Sequence, residues 1–516
     1  MSIHSRRDFL KISGIAAVGA LAPKTLAKFS ADTNRPNIIL LLLDTFSARH
    51  ASLYGYPQPT TPNLEKFAES SSVYHRHYSG GNFTVPGTAS MLTGTLPWTH
   101  GAVAGGGLVR AERAQKNMFS LLEGKYYRFA FAQNTWADRL IGQTPNAVER
   151  FLSPFAYSRM AKSPLLTNFE HDRALASTSF NDFLLGVDGS QKYPGSAVLG
   201  YLSKTQREYA VNAAENKTKS YPKGFPFAMN GLVYRNEEIY EGVYREISQL
   251  RQGGAPYFAY FHLFSPHGEY RPRADYRQWI DKSYAPPEKP AHPLSALEIE
   301  LSAYSDVKSF FKNQRNLYDA LIRQVDDELG KLMERLQADG VLENSYIILT
   351  SDHGELFERG FWGHGDVFMY EGATNIPLLI HAPGQTARRD IFSLTSNTDI
   401  LPSLLSATGV AAESGLEGRI LPEFPDASED PNRAVFSIHA RDNSVFAPLK
   451  KTAIAMWKRE YKLIAYLGYS DEALYELYNL QEDPQEMSDL SRKDTKTLES
   501  MKAELLAALN QSNQSF

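Results

Sequence analysis

Residues 37–43 read Asn-Ile-Ile-Leu-Leu-Leu-Leu without a polar interruption, and the chain then meets Asp44. An unbroken apolar run of this length predicts a strand buried on both faces of a parallel sheet, with the carboxylate delivered at its carboxyl end. Residues 346–350, Tyr-Ile-Ile-Leu-Thr, repeat the pattern and end in Ser351-Asp352-His353-Gly354, while residues 257–264 form a third apolar run leading into Pro266-His267. Open α/β sheets bind ligands at that edge, so three strands are expected to bring polar side chains to one place.

Helical periods fill the intervals. Thr61-Pro62 reads as an N-cap and first turn, followed by an inward stripe of Leu64, Phe67 and Ala68. Ile322, Val325, Leu329, Leu332 and Leu336 keep a three-four spacing, and Gly340 ends that helix before the strand of Asp352. Strand and helix in alternation predict an α/β fold: a doubly wound, mostly parallel sheet sandwiched by helices. Residues 140–250 and 268–312 lose the pattern. Rich in aromatics, Ser, Asn and Pro, and including Pro286-Pro287-Glu288-Lys289-Pro290, they read as insertions over the sheet edge, where loops set specificity. From about residue 430 the chain turns to strands, such as Lys462-Leu463-Ile464-Ala465-Tyr466, and closes with an amphipathic helix near 495–509. The expected division is a catalytic α/β domain over 34–425 and a small α+β subdomain over 430–516.

Composition narrows the function classes. The 516 residues exceed the roughly 250–300 that one core usually holds, consistent with two units. A formal charge of -4 gives no field to gather nucleic acid or anionic lipid. With no cysteine there is no disulfide, no thiolate metal site and no cysteine nucleophile. At the amino terminus, Ser5-Arg6-Arg7-Asp8-Phe9-Leu10-Lys11 matches a twin-arginine export signal, and the apolar run 12–22 is too short to span a bilayer. Cleavage after Thr25-Leu26-Ala27 is expected, and with it passage through the twin-arginine export machinery as a folded protein. The mature chain should then be periplasmic or extracellular, with no stable membrane span and no lipoprotein anchor.

Asp44, Thr84, Asp352 and His353 form the candidate chemistry. Two carboxylates, an imidazole and a hydroxyl suit one divalent metal, Zn or Mn before Ca or Mg. A metal on the Thr84 oxygen would make that hydroxyl a nucleophile. Thr84 precedes Pro86-Gly87 and a segment ending in Gly94, which reads as a helix whose N-terminus favours a phosphate or sulfate group. Taken singly, an aspartate at a strand end is more often a turn or cap former, and a threonine before a proline-started helix more often a plain cap. Asp352-His353-Gly354-Glu355 directly after a buried strand is the stronger signal. His262, inside an apolar run, reads as a core or supporting residue.

Several motifs in order carry a family resemblance. Residues 37–44 with Tyr54-Gly55-Tyr56-Pro57 and Thr60-Thr61-Pro62-Asn63-Leu64, the segment 84–94, Phe264-Ser265-Pro266-His267, residues 351–355 with Trp362-Gly363-His364-Gly365, Asn375-Ile376-Pro377, and Tyr475-Glu476-Leu477-Tyr478-Asn479-Leu480 with Asp483-Pro484 together resemble sulfatase-like enzymes of the alkaline phosphatase superfamily. The resemblance implies that fold, metal ligands Asp44, Thr84, Asp352 and His353, and His267 and His364 as groups that contact the ester or protonate its leaving oxygen. Departures matter too: Thr84 stands where sulfatases carry the cysteine or serine converted to formylglycine, Thr88 replaces the following arginine, and Thr45 replaces a paired aspartate. Ser47 and Arg49 stand where related sequences often carry arginine and aspartate. Threonine cannot become formylglycine, and the pattern is similar to phosphoryl-transferring members that pass through a phosphothreonine. The expected activity is a phosphoester hydrolase or transferase, with phosphodiesters first, acting on a small or a lipid- or glycan-linked ester. A sulfuric-ester hydrolase working without formylglycine and a non-catalytic binder of anionic glycans or headgroups are the alternatives.

Overall fold

The structure, a computed structural model, describes residues 35–157, 232–294 and 307–514 apart from 412 and 445, with a few isolated positions between 196 and 229. The export signal and its cleavage point lie outside the described residues.

Eight strands form the central sheet: β1 (Asn37–Leu43), β2 (Ser72–Tyr74), β3 (Tyr127–Ala132), β4 (Arg150–Leu152), β5 (Tyr257–Leu263), β6 (Ser345–Thr350), β7 (Leu378–His381) and β8 (Arg389–Ile391). Their spatial order is β8-β2-β7-β6-β1-β5-β3-β4, and only β7 runs against the rest. The three apolar runs are the three central neighbours. β1 pairs in parallel with β5 on one side, Leu42 opposite His262, and with β6 on the other, Leu42 opposite Thr350.

The unbroken run of β1 is explained by the two cores. Ile39, Leu41 and Leu43 point to one face, where α1 (Pro62–Ala68), α4 (Asn236–Gln252) and the long α5 (Val307–Ala338) cover them. Ile38, Leu40 and Leu42 point to the other, under α2 (Thr84–Thr93), α3 (Thr135–Gly142) and α6 (Ile400–Ala407). Each of these strand side chains is at most 1% exposed, which is the condition that removes a polar alternation from the sequence. Thr61 occupies the N-cap of α1 but does not cap it with its side chain. Its Oγ1 accepts from the Leu53 amide at 3.0 Å, and the free amides of Asn63 and Leu64 donate instead to the two oxygens of Asp326 on α5.

The ends of the two pattern-free stretches belong to the sheet body. Arg150–Leu152 adds a parallel edge strand to β3, and Ile239, Val243 and Ile247 of α4 pack in the first core. The strand's short length and the polar residues interleaved in the helix concealed them. Residues 268–294 are irregular.

Four antiparallel strands, β9 (Ala434–His439), β10 (Thr452–Lys458), β11 (Tyr461–Leu467) and β12 (Leu474–Asn479), with α7 (Thr495–Asn513) against them, make the C-terminal subdomain. Among the described residues no helix is long and apolar enough to cross a membrane.

A buried charge network joins this subdomain to the sheet body. Lys462 of β11, fully buried, reaches Glu371 at 3.1 Å and Glu486 at 2.7 Å. Glu371 also accepts from Arg49 and from the Trp457 indole, both at 2.9 Å. Burial pushes the Glu371 carboxyl upward, but Lys462 and Arg49 outweigh it and hold the group down to about 2. Such a carboxyl stabilises the fold above its ordinary titration near 4.5 and loses that contribution as pH falls toward 2. Removing the ammonium takes the lysine partner from buried Glu486 and leaves Glu371 with Arg49 alone, so Lys462→Met is expected to cost about 3–5 kcal/mol. Urea unfolding at neutral pH checks this; a loss below about 1 kcal/mol would show the network to be solvent-screened.

Candidate metal centre and nucleophile

Asp44 follows the last residue of β1 and Asp352 follows β6 by one residue, so adjacent parallel strands deliver both carboxylates to the same edge. The chain leaves β1 through Thr45 at φ 61, a conformation that L side chains rarely adopt, and the turn is pinned from β6. The Thr45 amide donates to Asp352 Oδ1 at 3.3 Å, the Phe46 amide to Ser351 Oγ at 2.9 Å, and Ser351 Oγ donates back to the Leu43 carbonyl at 2.7 Å.

Thr84 lies in the first turn of α2, whose C-terminus is closed by Gly94 in the left-handed region. Gly87 sets how near that helix can come. A Cβ there would sit 2.2 Å from the Asp352 carbonyl oxygen, so any side chain would push the Thr84 helix off the segment of Asp352. The Thr84 oxygen is 3.5 Å from His353 Nε2. His353 Nδ1 donates to the Gly354 carbonyl at 2.9 Å, which leaves Nε2 as the lone-pair nitrogen aimed at the Thr84 hydroxyl.

The structure therefore brings Asp44, Thr84, Asp352 and His353 together, and all four are buried. His353 Nε2 is 3.6 Å from both Asp44 and Asp352. Two further residues were not assigned to the centre from sequence. His262, read from the sequence as core or support, lies beside both carboxylates: its Nε2 stands 3.4 Å from Asp44 and 3.7 Å from Asp352, and these three side chains have the spacing of a group that could hold a metal. It sat inside an apolar run because β5 is the central neighbour of β1 and buried on both faces. Asn134 donates to Asp44 Oδ2 at 2.6 Å and to Thr84 Oγ1 at 3.1 Å. Its signal was present: β3 is followed by Gln133-Asn134, a polar pair at the same edge, but Arg128 breaks the apolar run and hid the strand.

His267 and His364 stand above this group. The ring centroids of His353 and His364 are 4.4 Å apart, and those of His267 and His364 5.0 Å. His267 donates through Nδ1 to the Gly268 carbonyl, and His364 through Nδ1 to Glu355 at 2.8 Å, so each presents Nε2 to the site. Glu355 is held in turn by the Tyr270 hydroxyl at 2.7 Å, onto which the Trp362 indole donates. Ser47 caps the following turn and Arg49 pairs with Glu371; neither reaches the four-residue group by a hydrogen bond.

The electrostatics separate these groups. Burial raises Asp352, repulsion from Asp44 raises it further, and the carboxyl is pushed up to about 7. Asp44 is buried too, but His267, His262 and His353 outweigh burial and hold it well below the usual carboxylate range. Burial, reinforced by His364, keeps His353 neutral, and burial likewise lowers His267. For His364 burial is outweighed by Glu355, and its pKa is raised. Asp44 Oδ1, Asp352 Oδ2 and His262 Nε2 have no hydrogen-bond partner although fully buried. Orphaned oxygens on two adjacent carboxylates, with imidazole lone pairs beside them, fit a divalent cation.

The sulfatase family profile matches residues 36–410, and that of the N-sulphoglucosamine sulphohydrolase C-terminal region matches 358–515. The chain belongs to the sulfatase family. Its α/β architecture is the alkaline phosphatase-like fold of that family. Arylsulfatase K of Bos taurus is 30% identical over 214 residues, 39% of this chain and 37% of its own length, so that match spans little more than a third of the relative. Choline-sulfatase of Rhizobium meliloti (strain 1021) is 22% identical over 89% of this chain and 83% of its own. Among solved structures, the phosphonate monoester hydrolase of Agrobacterium radiobacter superposes with a TM-score of 0.65 at 20% identity, covering 93% of this chain and 96% of that one. A structure solved with its substrate D-glucosamine-2-N,6-O-disulfate superposes at 0.63 and 18% identity, covering 93% and 98%.

As purified, the protein is expected to hold close to one divalent metal per chain by inductively coupled plasma mass spectrometry. Asp352→Asn and His262→Ala should each lower that occupancy, about tenfold for the second if it is a ligand or orients one. Full occupancy in His262→Ala would return His262 to a packing role.

Proposed function

We propose that this protein is a metal-dependent phosphoester hydrolase or transferase, with phosphodiesters as preferred substrates and Thr84 as the nucleophile. The observation that carries the reading is the setting of the Thr84 oxygen: first turn of a helix, Asn134 donating to it, the His353 lone pair facing it, and two carboxylates beside it. A divalent ion held by Asp44, Asp352 and His353, with His262 at hand, would lower the pKa of the hydroxyl and neutralise charge on the ester.

Thr84 Oγ, its proton passed to solvent before the ester binds, attacks phosphorus, forming a phosphorus–oxygen bond as the bond to the leaving oxygen breaks. Free amides at the start of α2 receive the non-bridging oxygens. His364 donates a proton to the leaving oxygen, since Glu355 favours its charged form, while neutral His267 accepts a hydrogen bond from the entering group. A water, or an acceptor hydroxyl in the transferase case, then attacks phosphorus and returns the Thr84 oxygen. The amino-terminal twin-arginine signature adds export to this proposal, with activity in the periplasmic or extracellular fraction.

A sulfuric ester is the second reading, supported by the names of relatives such as choline-sulfatase and N-acetylgalactosamine-6-sulfatase of Homo sapiens. Steady-state kinetics on bis(4-nitrophenyl) phosphate, 4-nitrophenyl phosphate and 4-nitrophenyl sulfate separate the two. The diester is expected to give the largest kcat/KM, and Thr84→Ala to lower it by about 1,000-fold or more. Faster release of sulfate than of phosphate would favour the second reading, and undiminished diester turnover by Thr84→Ala would remove the nucleophile.

A further inference from the structure

Glu355 and His364 bracket a short hairpin, and its register makes them partners. Its strands, Leu356–Glu358 and Phe361–Gly363, pair Leu356 with Gly363, Phe357 with Trp362 and Glu358 with Phe361. The turn between them has two residues, Arg359 at φ 57 and Gly360 at φ 77, the doubly left-handed form that suits the twist of a hairpin. Arg359 is held there by its own side chain, which donates to the Pro290 carbonyl at 2.8 Å and lies 3.9 Å from the Tyr370 ring centroid. One step beyond the ladder Glu355 stands opposite His364, and His364 Nδ1 donates to Glu355 Oε1 at 2.8 Å. A slip of one residue would turn one of the two to the other face.

Alternation along the strands puts Glu355, Phe357, Trp362 and His364 on one face, and Tyr270 packs into it. The Tyr270 ring centroid is 5.7 Å from that of Phe357 and 6.2 Å from that of Trp362. Its hydroxyl donates to Glu355 Oε2 at 2.7 Å and accepts from the Trp362 indole at 3.2 Å. On its other side the ring lies 5.2 Å from Tyr318, whose hydroxyl accepts from the Ser47 amide at 3.0 Å and donates to the Thr45 carbonyl at 2.5 Å. Tyr270, 4% exposed, is therefore wedged between the hairpin and the residue that pins the turn after Asp44.

Each oxygen of Glu355 thus has its own partner. The last torsion of a glutamate is soft, so a bond to His364 alone would let the carboxylate swing and carry the imidazole with it. The second bond, from Tyr270, removes that freedom. A proton donor must stand within hydrogen-bond reach of the oxygen it serves and in line with it, and small displacements are costly there.

We propose that Tyr270 is a positioning residue for the departure of the leaving group: through Glu355 it fixes the direction of His364 Nε2, and Trp362 fixes Tyr270 in turn. The inference rests on the reading of His364 as the donor to the leaving oxygen. It adds that the hairpin register and the aromatic residues behind it keep that donor in line.

Two diesters that transfer the same methyl phosphate group test it, methyl phenyl phosphate and methyl 4-nitrophenyl phosphate, through kcat/KM of the full-length, metal-loaded protein. Phenolate is the poorer leaving group and depends more on the proton it receives. His364→Ala is expected to slow the phenyl ester at least about tenfold more than the nitrophenyl ester, and Tyr270→Phe to show the same selectivity at about fivefold. Trp362→Phe, which keeps a ring at a half-buried position, should show it at about twofold. Added to His364→Ala, Tyr270→Phe should cost less than about a further twofold, because its effect passes through the imidazole already removed. Equal slowing of the two esters by Tyr270→Phe or by Trp362→Phe, or a full additional loss in the double variant, would overturn the proposal and leave His364 as the donor. Equal slowing of the two esters by His364→Ala would remove the donor itself, and the positioning role with it.

Discussion

Two carboxylates on neighbouring parallel strands share one fully buried pocket, and almost everything else in the molecule follows from that. Asp44 and Asp352 are fully buried, close enough that Asp44 raises its partner, and each retains an oxygen without a hydrogen bond. Like charges so placed do not persist unless a proton or a cation stands between them. The imidazoles of His262 and His353 turn nitrogen atoms toward the same point, which a lone proton would not require. A divalent cation satisfies all of these groups at once.

The fold holds that arrangement against its cost. Ser351 ties the end of β6 to the turn after β1, the left-handed Thr45 redirects the chain, and the missing side chain of Gly87 lets the Thr84 helix close on Asp352. Farther out, Lys462 and Arg49 neutralise Glu371 where the C-terminal sheet meets the main one. His439, ending β9, comes within 3.3 Å of Asn82, two residues before Thr84. The subdomain is thus a wall of the active-site region as well as a neighbour of it.

Much of this was legible in the chain. Residues 37–43 and 346–350 announced buried parallel strands because both faces are covered, and their terminal Asp44, Asp352 and His353 were visible for the same reason. Thr84 was visible from the proline and glycine around its helix. His262 was not, since a ligand-forming histidine in a two-face-buried strand has the same apolar neighbours as a packing one. Asn134 was hidden because Arg128 pairs with Glu149 inside the fold, a tertiary compensation that a single sequence does not display.

The most direct measurement is anomalous diffraction from a crystal of the untreated protein, recorded on both sides of the zinc and manganese absorption edges. The account predicts one strong peak enclosed by Asp44, Asp352, His353 and the Thr84 oxygen. Ordered carboxylates with no peak between them, or a peak seated elsewhere in the chain, would contradict it.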